Sequence, residues 1–248
     1  KLNTRNNLLR KLTGTSWGAS ASCLRTTALA LIYSCAEYCS STWLNSAHTY
    51  KVDTELNKSM RLISGTVAST PIEWLPALCN ILPPDIRRQK NLLALYRKIS
   101  NGEQIPLKND FAVPILQRLK SRHPAISTAK MMNTTDFNPK EFWRDKWLNS
   151  GRSSELFNFD DPLAQSKEFM LPRKLWCNLN RIRTGHGRCN EMMFKWKLLD
   201  DPSCACGEPH QTTNHMLVNC PIFKYNGDLN DFKVLSEQAL TWLNGLNL

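Results

Sequence analysis

The sequence has no apolar run long enough to cross a bilayer. The longest, ALALIY at 28–33, is six residues where a spanning helix needs about 20. Nothing at the start has the layout of a signal peptide, and the first residue is Lys1 rather than Met, so a segment of something longer is expected. The regular, even cysteine spacing of a disulfide framework is also missing. Nine irregularly placed cysteines suit a reducing compartment, so a nuclear or cytoplasmic protein is expected rather than a secreted one. There is no internal repeat, and no alternation of apolar and polar residues that would mark a strand. What remains is a mainly α chain whose 248 residues can bury a sizeable core, as one large domain or two small ones. A hydrophobic content of 42% excludes wholesale disorder.

Negative charge is in short supply, and unevenly so. Residues 1–100 carry a net +8, 101–165 carry +1, 166–200 carry +5 and 201–248 carry −3. Two basic blocks either side of a near-neutral one point to a polyanion partner, most often nucleic acid, and not to a membrane.

Helical spacing dominates the first hundred residues. Leu24, Ala28, Leu31, Ile32, Cys35, Cys39 and Trp43 recur as one buried face of a helix over 23–44, with Ser22 as its N-cap. A second helix over about 46–64 should stop at Gly65, and a third should open at Pro83–Pro84. Residues 100–114 and 149–170 read as connectors. Between them lie two short amphipathic pieces, ILQRLKS and PKEFWRDKWLN.

The helix after Pro172, RKLWCNLNRIRTG, divides cleanly on a helical wheel. Leu171, Leu175, Leu179 and Ile182 share one arc, while Arg173, Lys174, Asn180 and Arg181 occupy the opposite one. Trp176 and Arg183 sit at the boundary. The TGHGR that follows adds two glycines and Arg188. The expectation is a packed apolar arc and a solvent-facing basic arc, with Arg173, Lys174, Trp176, Arg181, Arg183 and Arg188 offered to phosphates and bases.

Cysteine and histidine concentrate in CACGEPHQTTNHMLVNCP at 204–221. Cys204, Cys206, His215 and Cys220 make a three-thiolate, one-imidazole set suited to tetrahedral zinc. Gly207 supplies the turn after the second cysteine. His215 and Cys220 lie five apart on a short helix that Pro221 ends. His210 is a competing ligand that the count of four does not need.

Two Asp-Asp pairs, Asp160–Asp161 and Asp200–Asp201, raise the question of a metal-dependent active site. Pro162 and the surrounding loop composition argue against the strand hairpin that polymerases place there. Both pairs read as turn or helix-flank residues, and no catalytic residue is assigned.

At 171–221, LPRKLWCNLNRIRTGHGRC…CACGEPHQTTNHMLVNCP resembles the C-terminal segment of non-LTR (LINE-type, jockey-like) retrotransposon reverse transcriptases. There an Arg-x-Arg-Thr-Gly-His run precedes a Cys-x-Cys-Gly…His-x4-Cys element. LTGTSWGASASCLRTTALALIYSCAEYCSSTWLNSAH is similar to the region just after that family's palm. The likeness covers about 1–100 and 171–222. It implies a helical thumb-like region at 1–100 and a connector with short helices at 101–170. The rest, 171–248, would be the basic helix and a zinc-stabilised, knuckle-like module. Such parts grip the template–primer duplex, the element's RNA or the target DNA during target-primed reverse transcription. The fingers and the palm, whose Tyr-x-Asp-Asp motif holds catalytic Mg²⁺, have no counterpart here, so the chain is expected to be inactive alone and to partner an upstream palm. The alternative is a zinc-stabilised protein-interaction module, or an inactive remnant of a retroelement.

Overall fold

The computed structural model describes residues 1–102, 105–110, 124–151, 161–164 and 167–248. The first hundred residues hold α1 (Leu2–Arg10), α2 (Ala21–Ala28), α3 (Ser34–Ala36), α4 (Ser40–Trp43), α5 (Thr49–Ser64), α6 (Trp74–Cys79) and α7 (Pro84–Asn101). Next come α8 (Leu107–Asp110), α9 (Ala125–Thr134) and α10 (Pro139–Leu148). The last part holds α11 (Arg173–Thr184), α12 (Asn190–Lys195), α13 (Asp231–Val234) and α14 (Glu237–Gly245). The mainly α expectation stands. Among the described residues the only β feature is an isolated antiparallel bridge between Thr13 and Gly18. The ILQRLKS piece lies outside the described residues; PKEFWRDKWLN forms α10.

The helix expected over 23–44 is shorter and bent. Ser20, not Ser22, caps it, its hydroxyl accepting from the Cys23 amide. A widened π turn at Leu29–Tyr33 then shifts the phase of the apolar face. Ile32, Tyr33 and Ala36 stay buried, whereas Leu31 turns outward. Cys39 adopts a left-handed conformation that breaks the helix, so Cys39 is exposed rather than part of the core. The neighbouring α5 stops at Gly65, where φ is +72°.

Leu24, Ala28 and Ile32 interlock with Leu56, Met60 and Ile63 of α5 to form the first core. Trp74 of α6 meets Trp147 of α10 edge-on at 5.5 Å, joining that helix pair to the first core's flank. Along α7, Leu92 and Leu93 pack on Ala129 and Met132 of α9. A separate core gathers Leu179 and Ile182 of α11 with Met216, Phe232, Ala239 and Leu243. Helix α11 therefore lies between two bodies of structure and is covered on both sides.

Candidate metal centre and the basic helix

Cys204 and Cys206 bracket a tight turn. The Gly207 amide donates to the Cys204 carbonyl (2.9 Å), and the Cys204 amide to the Glu208 carbonyl (2.8 Å). Gly207 carries φ +95°, which a side chain would oppose. His215 then opens a π turn, His215–Asn219, that the Cys220 amide closes on the His215 carbonyl (2.8 Å). Five residues per closure, instead of four, place His215 and Cys220 on the same side of that turn. The Thr212 hydroxyl accepts from the His215 amide and holds its start.

The outcome is a cluster in which one ligand atom from each of Cys204, Cys206, His215 and Cys220 lies within 4.8 Å of all the others. Cys204 Sγ is 3.7 Å from Cys220 Sγ, and Cys206 Sγ is 3.3 Å from His215 Nε2. Bonds of about 2.3 Å to sulfur and about 2.0 Å to nitrogen around a tetrahedral ion would give edges of about 3.8 and 3.5 Å. The residues present fit such an ion. His210 is exposed and stands outside the group.

Electrostatics favour one preformed thiolate. Burial pushes the Cys204 thiol up, but the Cys206 backbone amide, the Gln211 side-chain amide and His215 outweigh it and lower its pKa to about 6. For Cys206, the Glu208 amide favours ionisation, yet burial and the adjoining Cys204 and Cys220 sulfurs raise its pKa. A dication would supply the attraction that lets the remaining thiols ionise together. Gln211, 3.4 Å from Cys204 Sγ through its amide nitrogen, is a supporting residue with no signal in the spacing of the ligands.

The basic arc of α11 is not at the surface, which corrects the sequence expectation. Arg173, Trp176, Arg181 and Arg183 are all buried. The donors of Arg173, Trp176 and Arg181, with that of Asn180, meet the C-terminal end of α5, where the last carbonyls of a helix have no partner within it. Arg173 donates to the carbonyls of Leu62 (2.6 Å) and Ile63 (2.7 Å), Trp176 Nε1 to Ile63 (2.9 Å), and Asn180 to Ser64 (2.8 Å). Arg181 Nε donates to the Gly65 carbonyl (2.8 Å). Two cations thus sit at the negative end of the α5 dipole. Burial lowers the pKa of both guanidinium groups. Arg183 is turned instead to Glu168 in a buried bidentate pair. The wheel assumes one buried side, and α11 has two. Lys174, half-buried, donates to the Asn244 carbonyl, and Arg188 alone of the six is exposed.

Asp160 lies outside the described residues. The Asp161 carboxylate accepts from the Leu163 amide (3.0 Å) and pairs with Arg144 (3.0 Å), the arrangement of a turn residue. Asp201 likewise accepts from the Ser203 amide (2.9 Å).

Comparison with known proteins gives consistent relatives. The chain is 25% identical over 245 residues to the "Retrovirus-related Pol polyprotein from type-1 retrotransposable element R1" of Bradysia coprophila, covering 96% of this chain and 23% of that protein. It is 24% identical over 245 residues to the R1 2 Pol polyprotein of Nasonia vitripennis, covering 94% and 54%. A "Putative 115 kDa protein in type-1 retrotransposable element R1DM" of Drosophila melanogaster is 23% identical over 258 residues, covering 94% and 22%. The chain thus spans roughly a quarter to a half of the length of these curated relatives. No family model and no solved structure matches it. Its homologues are Pol polyproteins of R1-type non-LTR retrotransposons, consistent with a C-terminal part of a LINE-type element.

Proposed function

We propose that this chain is the nucleic-acid-binding C-terminal portion of a retrotransposon RNA-directed DNA polymerase. It grips template–primer, element RNA or target DNA during target-primed reverse transcription. The observation that carries this reading is the Cys204–Cys206–His215–Cys220 group, set in a chain that aligns over almost its whole length with R1 Pol proteins. The ion is structural Zn²⁺, since three thiolates and one imidazole at these separations match zinc's ligand preference. Zinc there would fix the turn at Cys204–Cys206 against the π turn at His215–Asn219, with no part in bond making.

The proposed division of labour is a thumb-like region at 1–100, a connector at 101–170, and α11 with the zinc module at 171–248. The net +8 of the first hundred residues favours that region for phosphate contact, because most of α11's cations are used internally. The palm and its Mg²⁺ would come from upstream sequence of the same polyprotein, and this chain would carry no synthesis of its own.

A second reading, a zinc-stabilised protein-interaction module or an inactive remnant, draws on the same inward turn of the α11 arc and on the −3 charge of 201–248. The discriminating experiment measures binding of a labelled RNA–DNA template–primer to the zinc-loaded chain, with nucleotides and Mg²⁺ added to look for extension. Tight binding without extension supports the proposal. Extension by a clean preparation, or no binding at all, would overturn it.

A further inference from the structure

Trp17 is 61% exposed, the only tryptophan among the large exposed hydrophobic side chains. It does not dangle. The Thr13–Gly18 bridge closes the loop, the Gly14 amide donates to the Trp17 carbonyl (2.9 Å), and the Ala19 amide returns to the Leu12 carbonyl (3.0 Å). Gly18 takes φ +118°, and its ideal Cβ would lie 2.6 Å from the Leu12 carbonyl oxygen, so only glycine fits there. The indole lies across Gly14, where a Cβ would come within 2.5 Å of Trp17 Nε1. From below, the buried Arg173 guanidinium donates to the Gly14 carbonyl at 3.0 Å. A buried cation with three backbone carbonyl partners is thus used in part to hold a surface loop in place.

The N-terminal segment itself is basic, although the Glu55 carboxylate of α5 accepts from Asn6 of α1 (3.0 Å). The first acidic residue in the chain is Glu37, while Lys1, Arg5, Arg10, Lys11 and Arg25 all precede it. Arg10 and Lys11 are exposed at the end of α1, immediately before Leu12, where the loop rejoins the chain. An apolar protein partner would account for the indole but not for the cations. An unpaired base accounts for both, since it offers a π face to Trp17 and its phosphate to Lys11 or Arg10.

We infer that the Thr13–Gly18 loop presents Trp17 as a stacking platform for an unpaired nucleobase of a single-stranded nucleic acid, with Lys11 and Arg10 binding the adjoining phosphates. This rests on the nucleic-acid reading above and narrows its contacts, within the first hundred residues, to the end of α1 and the loop after it. Arg173 becomes a positioning residue for the loop.

The test uses the zinc-loaded full chain with a short labelled single-stranded RNA, the same sequence as single-stranded DNA, and its duplex. Trp17→Ala should weaken both single strands roughly 5- to 100-fold, the equivalent of about 1–3 kcal/mol for one base stack, and leave the duplex within about twofold. Trp17→Phe should retain most of the affinity. Lys11→Gln should flatten the logarithmic salt dependence by about 0.7 and leave the single-strand preference unchanged. Because Trp17 is exposed, loss of fold does not confound the first variant. Single-strand affinity that survives Trp17→Ala, or falls equally for the duplex, would overturn the inference and leave the broader reading standing. Failure of the unaltered chain to bind any of the three probes would remove both.

Discussion

Gly65 lies so close to Cys177 that a β-carbon on it would sit 2.1 Å from the Cys177 sulfur. The same glycine ends α5 at φ +72° and gives its carbonyl to Arg181. One residue therefore serves as helix terminator, contact point and acceptor.

Gly65→Ala should destabilise the fold by roughly 2–5 kcal/mol, from the left-handed backbone and the overpacking together. Adding Cys177→Ala should restore part of that loss. The rescue is partial because the Cys177 β-carbon itself would be 2.9 Å away. Denaturant titration of the two single variants and the double variant measures this, and strict additivity would show that the contact is not felt.

Arg181→Ala should act on stability and not on nucleic-acid contact. It strips a charged donor from the Gly65 carbonyl and from the backbone oxygen of Leu248, the last residue. The expected cost is roughly 2–4 kcal/mol, because hydrogen bonds from charged groups are strong and the acceptors are buried. For the folded protein, the salt dependence of RNA binding should match that of the unaltered chain. A slope flattened by about one would return Arg181 to the phosphate contacts.

Glu168→Gln leaves the Arg183 guanidinium buried without its carboxylate. The two side chains are only 9% and 3% exposed. Removing one partner of such a pair typically costs about 3–5 kcal/mol, whereas replacing both by apolar residues is much milder. Thermal or chemical denaturation of Glu168→Gln against Glu168→Leu/Arg183→Met should show the single change to be the worse.

The purified chain should contain one zinc ion, falling to near none in Cys204→Ser/Cys220→Ser and unchanged in His210→Ala. Metal analysis reads the stoichiometry. Chelation should also loosen the C-terminal core, because Met216 and Leu217 of the π turn pack into it beside Phe232. Trp242, edge-on to Phe232 at 5.5 Å, gives a fluorescence signal for that change.

Spacing alone points to α5 with its Gly65 stop, α7 after Pro83, α11 and the four Cys/His side chains that the fold brings together, because each depends on local periodicity or on ligand chemistry. The environment of α11 was not legible. A guanidinium donor looks the same in sequence whether it faces a phosphate or the last carbonyls of another helix, and the acceptors at Leu62, Ile63 and Gly65 are backbone atoms that carry no sequence mark. The π turn at Leu29–Tyr33 was hidden for a related reason. It shifts the face by one residue, so Leu31, which an ideal helix would bury, turns outward while Ile32 stays in the core. Helix α6 was missed because its six residues are too few to show a period.

The central claim, that the chain holds nucleic acid chiefly through its N-terminal cations, is tested most directly by one salt titration. Affinity for labelled single-stranded RNA is measured across rising monovalent salt for the unaltered chain and for Arg10→Gln/Lys11→Gln. Log affinity should fall steeply with log salt, less steeply by about 1.4 in the double variant, since single strands lose about 0.7 per phosphate contact. A flat dependence in the unaltered chain, or identical slopes in the two proteins, would contradict it.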